Sequence, residues 1–449
     1  MAVVSPLPAQ VLRALVQADV TEGSRLCCAL SGGVDSRVLL HILTGLRARL
    51  SFRLTAVHVH HGLSPHADAW AAFCRELCAA AGVPLTVHRV DVARDDPAGL
   101  EAAARRARHR VLLASECDWL VFGHHADDQA ETVLFRLLRG AGVRGAAGMA
   151  EREAPAGQQP GRLRPLLDSR RAEIEAYARE HGLQWVEDES NEDRRYTRND
   201  LRHRLLPAME EGFPGAARTL ARAAANFREA SALLDELAAM DEAACGGQSL
   251  ERAQLLRLSE ARCANLLRWQ AGRLGAEMPA RARLLEVIRQ LHGVEAARGF
   301  RVALGALDCC CYRGKVWLEP AASLAGAAAR AWAGEAEVPW LGGVLRFSSA
   351  RGEGLSAARL QAAHALRLLP RWPGMRLRLV AGRPSRSFKN LCQEAGIPAW
   401  QRERLPVLQV DGCAAWVGGI GTAAEFAAAA DEDAVAVEWL PLVPPAGEP

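Results

Sequence analysis

Leu26-Cys27-Cys28-Ala29-Leu30-Ser31-Gly32-Gly33-Val34-Asp35-Ser36 reads as a buried strand, a glycine turn and the start of a helix, because Val38, Leu39, Leu40, Ile42 and Leu43 follow at helical spacing. That order makes a cradle for phosphate. Gly32 and Gly33 let the backbone approach an anion with no Cβ in the way and permit positive φ. Successive N–H groups and the helix N-terminus then point positive partial charge at the bound oxygens, and Ser31 and Ser36 add hydroxyls. A Walker loop would need a lysine beside its last hydroxyl residue to reach the outer phosphates. The chain has only Lys315 and Lys389, and none in its first half. A loop built from backbone, hydroxyls and the carboxylate of Asp35 suits a magnesium-bearing pyrophosphate that departs from an α-phosphorus, which predicts adenylyl transfer.

The strand and helix rhythm continues to about Trp185. Apolar stretches at Leu26–Leu30, Leu54–Val59, Leu85–Val90 and Trp119–Phe122 alternate with helical patterns near 36–48, 67–81, 99–115 and 127–139. This predicts an α/β domain over 1–216, a doubly wound parallel sheet with ligands bound beyond the carboxyl ends of its strands. The alanine- and leucine-rich pattern from Ala216 to about Leu291 predicts a mainly helical domain over 217–330. Within it Arg301–Glu319 reads as short strands and Ala321–Ala333 as a linker or surface helix. From about Val338 to Leu442, short apolar runs punctuated by Gly and Pro predict a small mixed α/β domain over 331–449, with a disordered Pro-rich end.

At 449 residues and 50% hydrophobic content, two or three ordinary cores can form. The net charge is only +3, so a nucleic acid would be met by local patches rather than by the field of the whole molecule. No basic leader opens the chain and no apolar run approaches the roughly 20 residues that span a bilayer, so a soluble cytoplasmic protein without membrane contact is expected. The twelve cysteines include no C-x-x-C, and Cys309-Cys310-Cys311 are contiguous; they read as reduced structural thiols.

Histidines and acids cluster at the strand ends. His58-Val59-His60-His61 closes the second strand, and Gly123-His124-His125-Ala126-Asp127-Asp128-Gln129-Ala130-Glu131-Thr132 follows the fourth. These imidazoles suit hydrogen bonds to phosphate, base or substrate better than a transition metal. Asp128 and Glu131, three apart on one helical face, are either a helix cap or a pocket for an ammonium group. Arg105 and Arg108 share a face and could reach the cradle. An acidic turn, Glu187 to Asn191, precedes Arg194, Arg195, Arg198, Arg202 and Arg204. Arg367, Arg371, Arg376, Arg378, Arg383, Arg386 and Lys389 lie in a stretch without an acid, which predicts RNA binding, and the interleaved Trp372, Phe388 and Trp400 serve either stacking or the core.

Taken together, SGGVDS at Ser31–Ser36, HVHHGLS at His58–Ser64, the arginine-bearing helix at Glu101–Arg108, GHHADDQAET at Gly123–Thr132, DESN at Asp188–Asn191 and RND-x-R at Arg198–Arg202 resemble the tRNA(Ile)-lysidine synthetase family of the PP-loop ATP pyrophosphatases. The segment from Gly382 to Arg404 resembles that family's C-terminal domain. The resemblance implies that ATP binds Ser31, Gly32, Gly33, Val34, Asp35 and Ser36, with His58 also at the nucleotide and Asp35 holding magnesium. It implies that Arg105 and His124 or His125 assist adenylation, that Asp128 and Glu131 hold the ammonium of free L-lysine, and that Arg202 or Arg198 meets its carboxylate or the RNA. Arg198, Arg383, Arg386 and Lys389 would contact an isoleucine tRNA with a CAU anticodon. ATP with Mg2+ is then a substrate, and no transition metal or iron–sulfur cluster is expected. His109 departs from the pattern, where an aromatic tyrosine is expected. The nearest competing expectation is a PP-loop tRNA thiolase, which would bring in sulfur through cysteines; a tRNA-binding protein without catalysis is another.

Overall fold

The computed structural model describes residues 6–93, 95–96, 99–155, 157, 159–187, 197–293, 299–321, 329–341 and 343–441. Most of Ala321–Ala333, the Pro-rich end, Asp188–Asn191, Arg194, Arg195 and the side chain of Arg198 lie outside the described residues. Contacts divide the chain into one unit up to Leu233 and another from Leu234, a division that falls within the helix Ala216–Ala244.

The first unit alternates helix and strand: α1 (Leu7–Gln17), β1 (Arg25–Ala29), α2 (Val34–Leu50), β2 (Arg53–His60), α3 (Ala67–Ala80), β3 (Leu85–Arg89), α4 (Leu100–Leu113), β4 (Trp119–Val121), α5 (Ala126–Leu138), α6 (Val143–Ala146), β5 (Arg152–Glu153), β6 (Gly161–Leu163) and α7 (Arg171–Glu180). The sheet order is β3-β2-β1-β4-β6-β5, parallel throughout except for the edge pair β5/β6. Alternation along β1 sends Leu26 and Cys28 into one core with Val38, Leu39, Leu43, Ile174 and Tyr177, and Cys27 into another with Leu112, Leu120 and Phe122. Both faces are therefore covered, as expected. The antiparallel edge strand makes the sheet mixed rather than purely parallel. Its cause is local: the few residues between Glu153 and Gly161 are too short a connection for a crossover helix.

The second unit starts helical, with Glu260–Arg273 and Arg281–Gly293 packed on a four-stranded antiparallel sheet of Leu250–Glu251, Lys315–Pro320, Leu307–Tyr312 and Phe300–Ala303. Cys309, Cys310 and Cys311 lie in its central strand, buried, and burial pushes their thiols up. All twelve cysteines are free and only Cys413 is exposed. The C-terminal region is richer in antiparallel strands than the expected mixed pattern. It holds a five-stranded, a four-stranded and a two-stranded sheet with two short helices, Ala357–Ala362 and Phe388–Glu394. Among the described residues no helix is long and apolar enough to cross a membrane.

Candidate active site

The phosphate loop sits at the carboxyl end of β1. Gly32 takes φ +91°, which an L side chain adopts only at a cost, and Gly33 precedes the first residue of α2. The loop ties itself together through hydroxyls. Ser36 Oγ donates to the Gly33 carbonyl (3.0 Å) and accepts from the Ser31 N–H (3.2 Å), while Ser31 Oγ accepts from the Gly33 N–H (3.3 Å). The end of β4 seals it from below: a Cβ at Gly123 would lie 2.9 Å from the carbonyl carbon of Asp35. On the next strand, buried His58 donates from Nδ1 to the Leu30 carbonyl (2.9 Å), and burial holds its pKa below the usual value.

Asp35, His125, Asp128, Glu131 and Arg202 form one chain of charges. His125 caps α5: its Nδ1 accepts from the Asp128 N–H (3.4 Å), and its own N–H donates to Asp128 Oδ2 (3.1 Å). With Nδ1 accepting, the proton sits on Nε2, 3.6 Å from Asp35 Oδ1 and 3.4 Å from Asp128 Oδ2. Burial opposes a charge on His125, but Asp128, Asp127 and Asp35 outweigh it and raise its pKa. His124 behaves oppositely: burial, with Arg164, Arg108 and Arg105 adding, lowers it to about 3, so it is neutral, and its ring stacks on Phe122. Burial raises the Asp35 carboxyl, and its Oδ1 is buried without a hydrogen-bond partner.

The acidic pair already holds a cation. Arg202, on a single π-helical turn at Leu201–Leu205, donates from Nε to Glu131 Oε1 (2.6 Å) and from Nη2 to Asp128 Oδ1 (3.0 Å) and Glu131 Oε2 (3.1 Å). Burial keeps Glu131 above its usual value despite Arg202, while Asp128 stays below its own because His125 and Arg202 overcome burial. Beside them opens a cavity of about 170 Å3, lined in part by His125, Glu131, Arg170, Arg171, Arg202 and Glu210. Such a cavity offers both signs of charge.

On α4, Arg105 and Arg108 are half-buried whereas Arg106 and Arg110 are exposed, and the first two act electrostatically on His124. His109, in the place where an aromatic was expected, is brought down to about 4 by burial and by the surrounding arginines. It is a neutral ring. Among the described residues no three His, Cys, Asp or Glu side chains converge on a metal site.

The basic C-terminal segment is less bare than its local sequence. Arg371 pairs with Glu403 (2.7 Å), Arg378 with Glu425 (3.6 Å) and Arg386 with Glu394 (2.5 Å), all acids from outside the run. Arg383 and Lys389 are exposed. Phe388 is buried with Trp372 packed beside it, so these two belong to the core, while half-buried Trp400 lies against Tyr312 and Trp317.

Three family models match this chain: a PP-loop domain over 7–209, a TilS substrate binding domain over 250–317 and a TilS substrate C-terminal domain over 366–439. The tRNA(Ile)-lysidine synthase of Azoarcus sp. (strain BH72) is 57% identical over 433 residues, covering 96% of this chain and 95% of that one. The chain belongs to the tRNA(Ile)-lysidine synthase family. The relative from Aromatoleum aromaticum is 56% identical over 425 residues, covering 95% and 99%, and that from Nitrosomonas europaea 39% over 431 residues, covering 95% and 94%.

Within this lysidine synthase fold, several residues that shape the site escaped sequence reasoning. Gln129 clamps the next loop, donating to the Met149 carbonyl and accepting from its N–H, both at 2.8 Å. Arg170 bridges Asp127 (2.9 Å) and Glu210 (3.0 Å). Val186 donates its N–H to the Gly32 carbonyl (3.0 Å). The glutamine stood inside the quoted motif and was a visible signal. The other two carried none.

Proposed function

We propose that this chain joins free L-lysine to C2 of the wobble cytidine of an isoleucine tRNA with a CAU anticodon, through an adenylated base, so that the tRNA decodes AUA instead of AUG. The observation that carries the reading is His125, in contact with Asp35 at the phosphate loop and with Asp128 at the acidic pair. One imidazole thus joins an anion cradle to a cation pocket, in a chain whose relatives are lysidine synthases.

In the first step the C2 carbonyl oxygen of cytidine attacks the α-phosphorus of ATP, and the bond to pyrophosphate breaks. The N–H groups of residues 31–36, the hydroxyls of Ser31 and Ser36, and the α2 N-terminus hold the departing pyrophosphate. Asp35 fits magnesium: its Oδ1, buried, 3.6 Å from His125 Nε2 and without a hydrogen bond, is the hard oxygen donor that ion takes alongside phosphates. Bound there, the ion would neutralise charge on the leaving group. Arg105 supplies fixed positive charge where negative charge grows, and His125 offers its Nε2 proton beside Asp35, while neutral His124 offers a hydrogen bond without competing for protons.

In the second step the unprotonated ε-amine of lysine attacks C2, the bond from C2 to the AMP oxygen breaks so that AMP departs, and the attacking nitrogen gives up a proton to solvent. Asp128 and Glu131 hold the amine end; because Arg202 occupies them here, lysine enters by sharing or displacing that guanidinium, which is then free for the substrate carboxylate. The splayed cytidine comes from a single-stranded loop, so little pairing energy is lost. Residues 217–330 and 331–449 would grip the tRNA body, with Arg383, Lys389 and Arg198 at phosphates and Arg386 joining them only by leaving Glu394. The test is lysine incorporation into an isoleucine tRNA transcript by wild type and by Asp35→Ala. Incorporation by the wild type and its loss in the variant support the reading, and a wild type that transfers sulfur or nothing overturns it.

A further inference from the structure

Residues 169–186 touch both halves of the site. At one end the Ala126 N–H donates to the Ser169 carbonyl (2.8 Å), and Asp127 accepts from the Arg171 N–H (2.9 Å) and from Arg170 Nε (3.0 Å). At the other end the Val186 N–H donates to the Gly32 carbonyl (3.0 Å). Between these fixings α7 is pinned to α2: Ile174, Tyr177 and Ala178 share a core with Val38, Leu39 and Leu43, and the Tyr177 hydroxyl lies 3.2 Å from His41 Nδ1. A packed helix of this kind passes a displacement on rather than absorbing it.

The Val186 end acts on the phosphate loop in two ways. A trans peptide holds its C=O and N–H on opposite sides. Drawing the Gly32 carbonyl toward Val186 therefore turns the Gly33 N–H away from Val186, toward Ser31 Oγ, which accepts it. The Val186 side chain closes the remaining freedom. A Cβ at Gly32 would lie 2.9 Å from Val186 Cγ2 and 3.2 Å from Cys74 Sγ, so the loop is gripped between this segment and α3.

We propose that Ser169–Val186 is a strut tying the helix cap of the acidic pocket to the phosphate loop, with Asp127 and Val186 as positioning residues for ATP. The inference rests on the loop as the ATP site and on Asp128 and Glu131 as the lysine site, and it adds that the two are mechanically coupled. Lying between two sites is not coupling, so a double-mutant cycle is the proper measurement.

Full-length wild type, Asp127→Asn, Val186→Ala, the double variant and Val186→Ile are compared for KM of ATP and of lysine, each with the other substrates saturating, and for thermal midpoint. Each of the first two is expected to raise the KM of ATP by about three- to tenfold, short of the roughly hundredfold that a 1 Å displacement costs. The double variant is expected to raise it by less than the product of the two. Val186→Ile keeps the branched methyl and restores the wild-type value. An Asp127→Asn enzyme that alters only the lysine KM, effects that multiply, or KM changes that merely track lost stability would overturn the strut. A wild type without measurable ATP dependence defeats the underlying site assignment instead, and the wild-type KM alone tells the two failures apart.

Discussion

A methyl group at Gly123 is the most local perturbation the site offers. Gly123 is not in the left-handed region, so alanine meets no backbone objection there. Its Cβ would nevertheless lie 2.9 Å from the Asp35 carbonyl carbon, 3.0 Å from that oxygen and 3.1 Å from the Ser36 nitrogen. All three are backbone atoms of the first turn of α2, and no rotamer change relieves them. Carbon contacts are comfortable at about 3.5–4.0 Å, so the end of β4 and the phosphate loop have to part by roughly 0.5–1 Å. Overpacking of this size costs about 1–3 kcal/mol, against the 5–15 kcal/mol that holds a typical domain, so the fold survives. Catalysis suffers more, because a 1 Å misplacement is worth about a hundredfold and half of it about tenfold. Steady-state kcat and the KM of ATP, measured beside the thermal midpoint, are expected to show a loss of at least about tenfold in kcat/KM with a midpoint only a few degrees lower. An alanine variant with wild-type kinetics would refute the claim that this contact sets the distance between loop and strand end.

Arg202→Met leaves Asp128 and Glu131 without their counterion. Breaking a fully buried pair costs about 3–5 kcal/mol, and with Arg202 and Asp128 each roughly a quarter exposed the expected loss is about 2 kcal/mol. Millimolar lysine should recover part of the lost midpoint by mass action, and no recovery would speak against the lysine pocket. His124, lowered to about 3 in the fold, stays neutral while the unfolded chain takes up a proton below about 6.5. A depressed histidine pKa thus destabilises the fold as pH falls from 6.5 toward 3, by about 1.4 kcal/mol per unit. In urea titrations His124→Asn should lose roughly 2 kcal/mol less than wild type between pH 6.5 and 5; equal losses would contradict the neutral, buried imidazole. Arg383→Ala, at an exposed position, should weaken tRNA binding and lower the salt slope by about 1, whereas Arg371→Ala, already paired with Glu403, should change the slope little. Equal slopes would remove the distinction drawn between free and neutralised arginines.

Local signals in the chain carried further than expected where a motif and its structure were both short range. The turn from β1 into α2 and the face shared by Arg105 and Arg108 follow from spacing of a few residues, whereas the cap of α5 falls on His125 rather than on the acids that read as cap candidates. What escaped was contact between distant segments. Glu131 and Arg202 stand 71 residues apart, and nothing in either stretch shows that the acidic pair is bridged by a guanidinium. Val186 closes on Gly32 from beyond α7 for the same reason. The basic run near Arg383 reads as unneutralised because Glu394, Glu403 and Glu425 lie outside it, and the choice between stacking and core for Phe388 and Trp372 needs burial, which is not visible in a local pattern. Arg301–Glu319 reads as short strands and forms them, but the pairing of Lys315 with Glu251 spans three intervening helices and leaves no local signal.

The most direct test of the central claim follows the α-phosphate itself. Enzyme, isoleucine tRNA transcript and ATP labelled at the α-phosphorus are mixed without lysine, quenched at early times, and then chased with lysine. Activation of the base predicts label covalently on the RNA, discharged as AMP when lysine is added, with the transcript gaining the mass of lysine less one water. Label that never reaches the RNA, or that appears on lysine instead, would contradict the account.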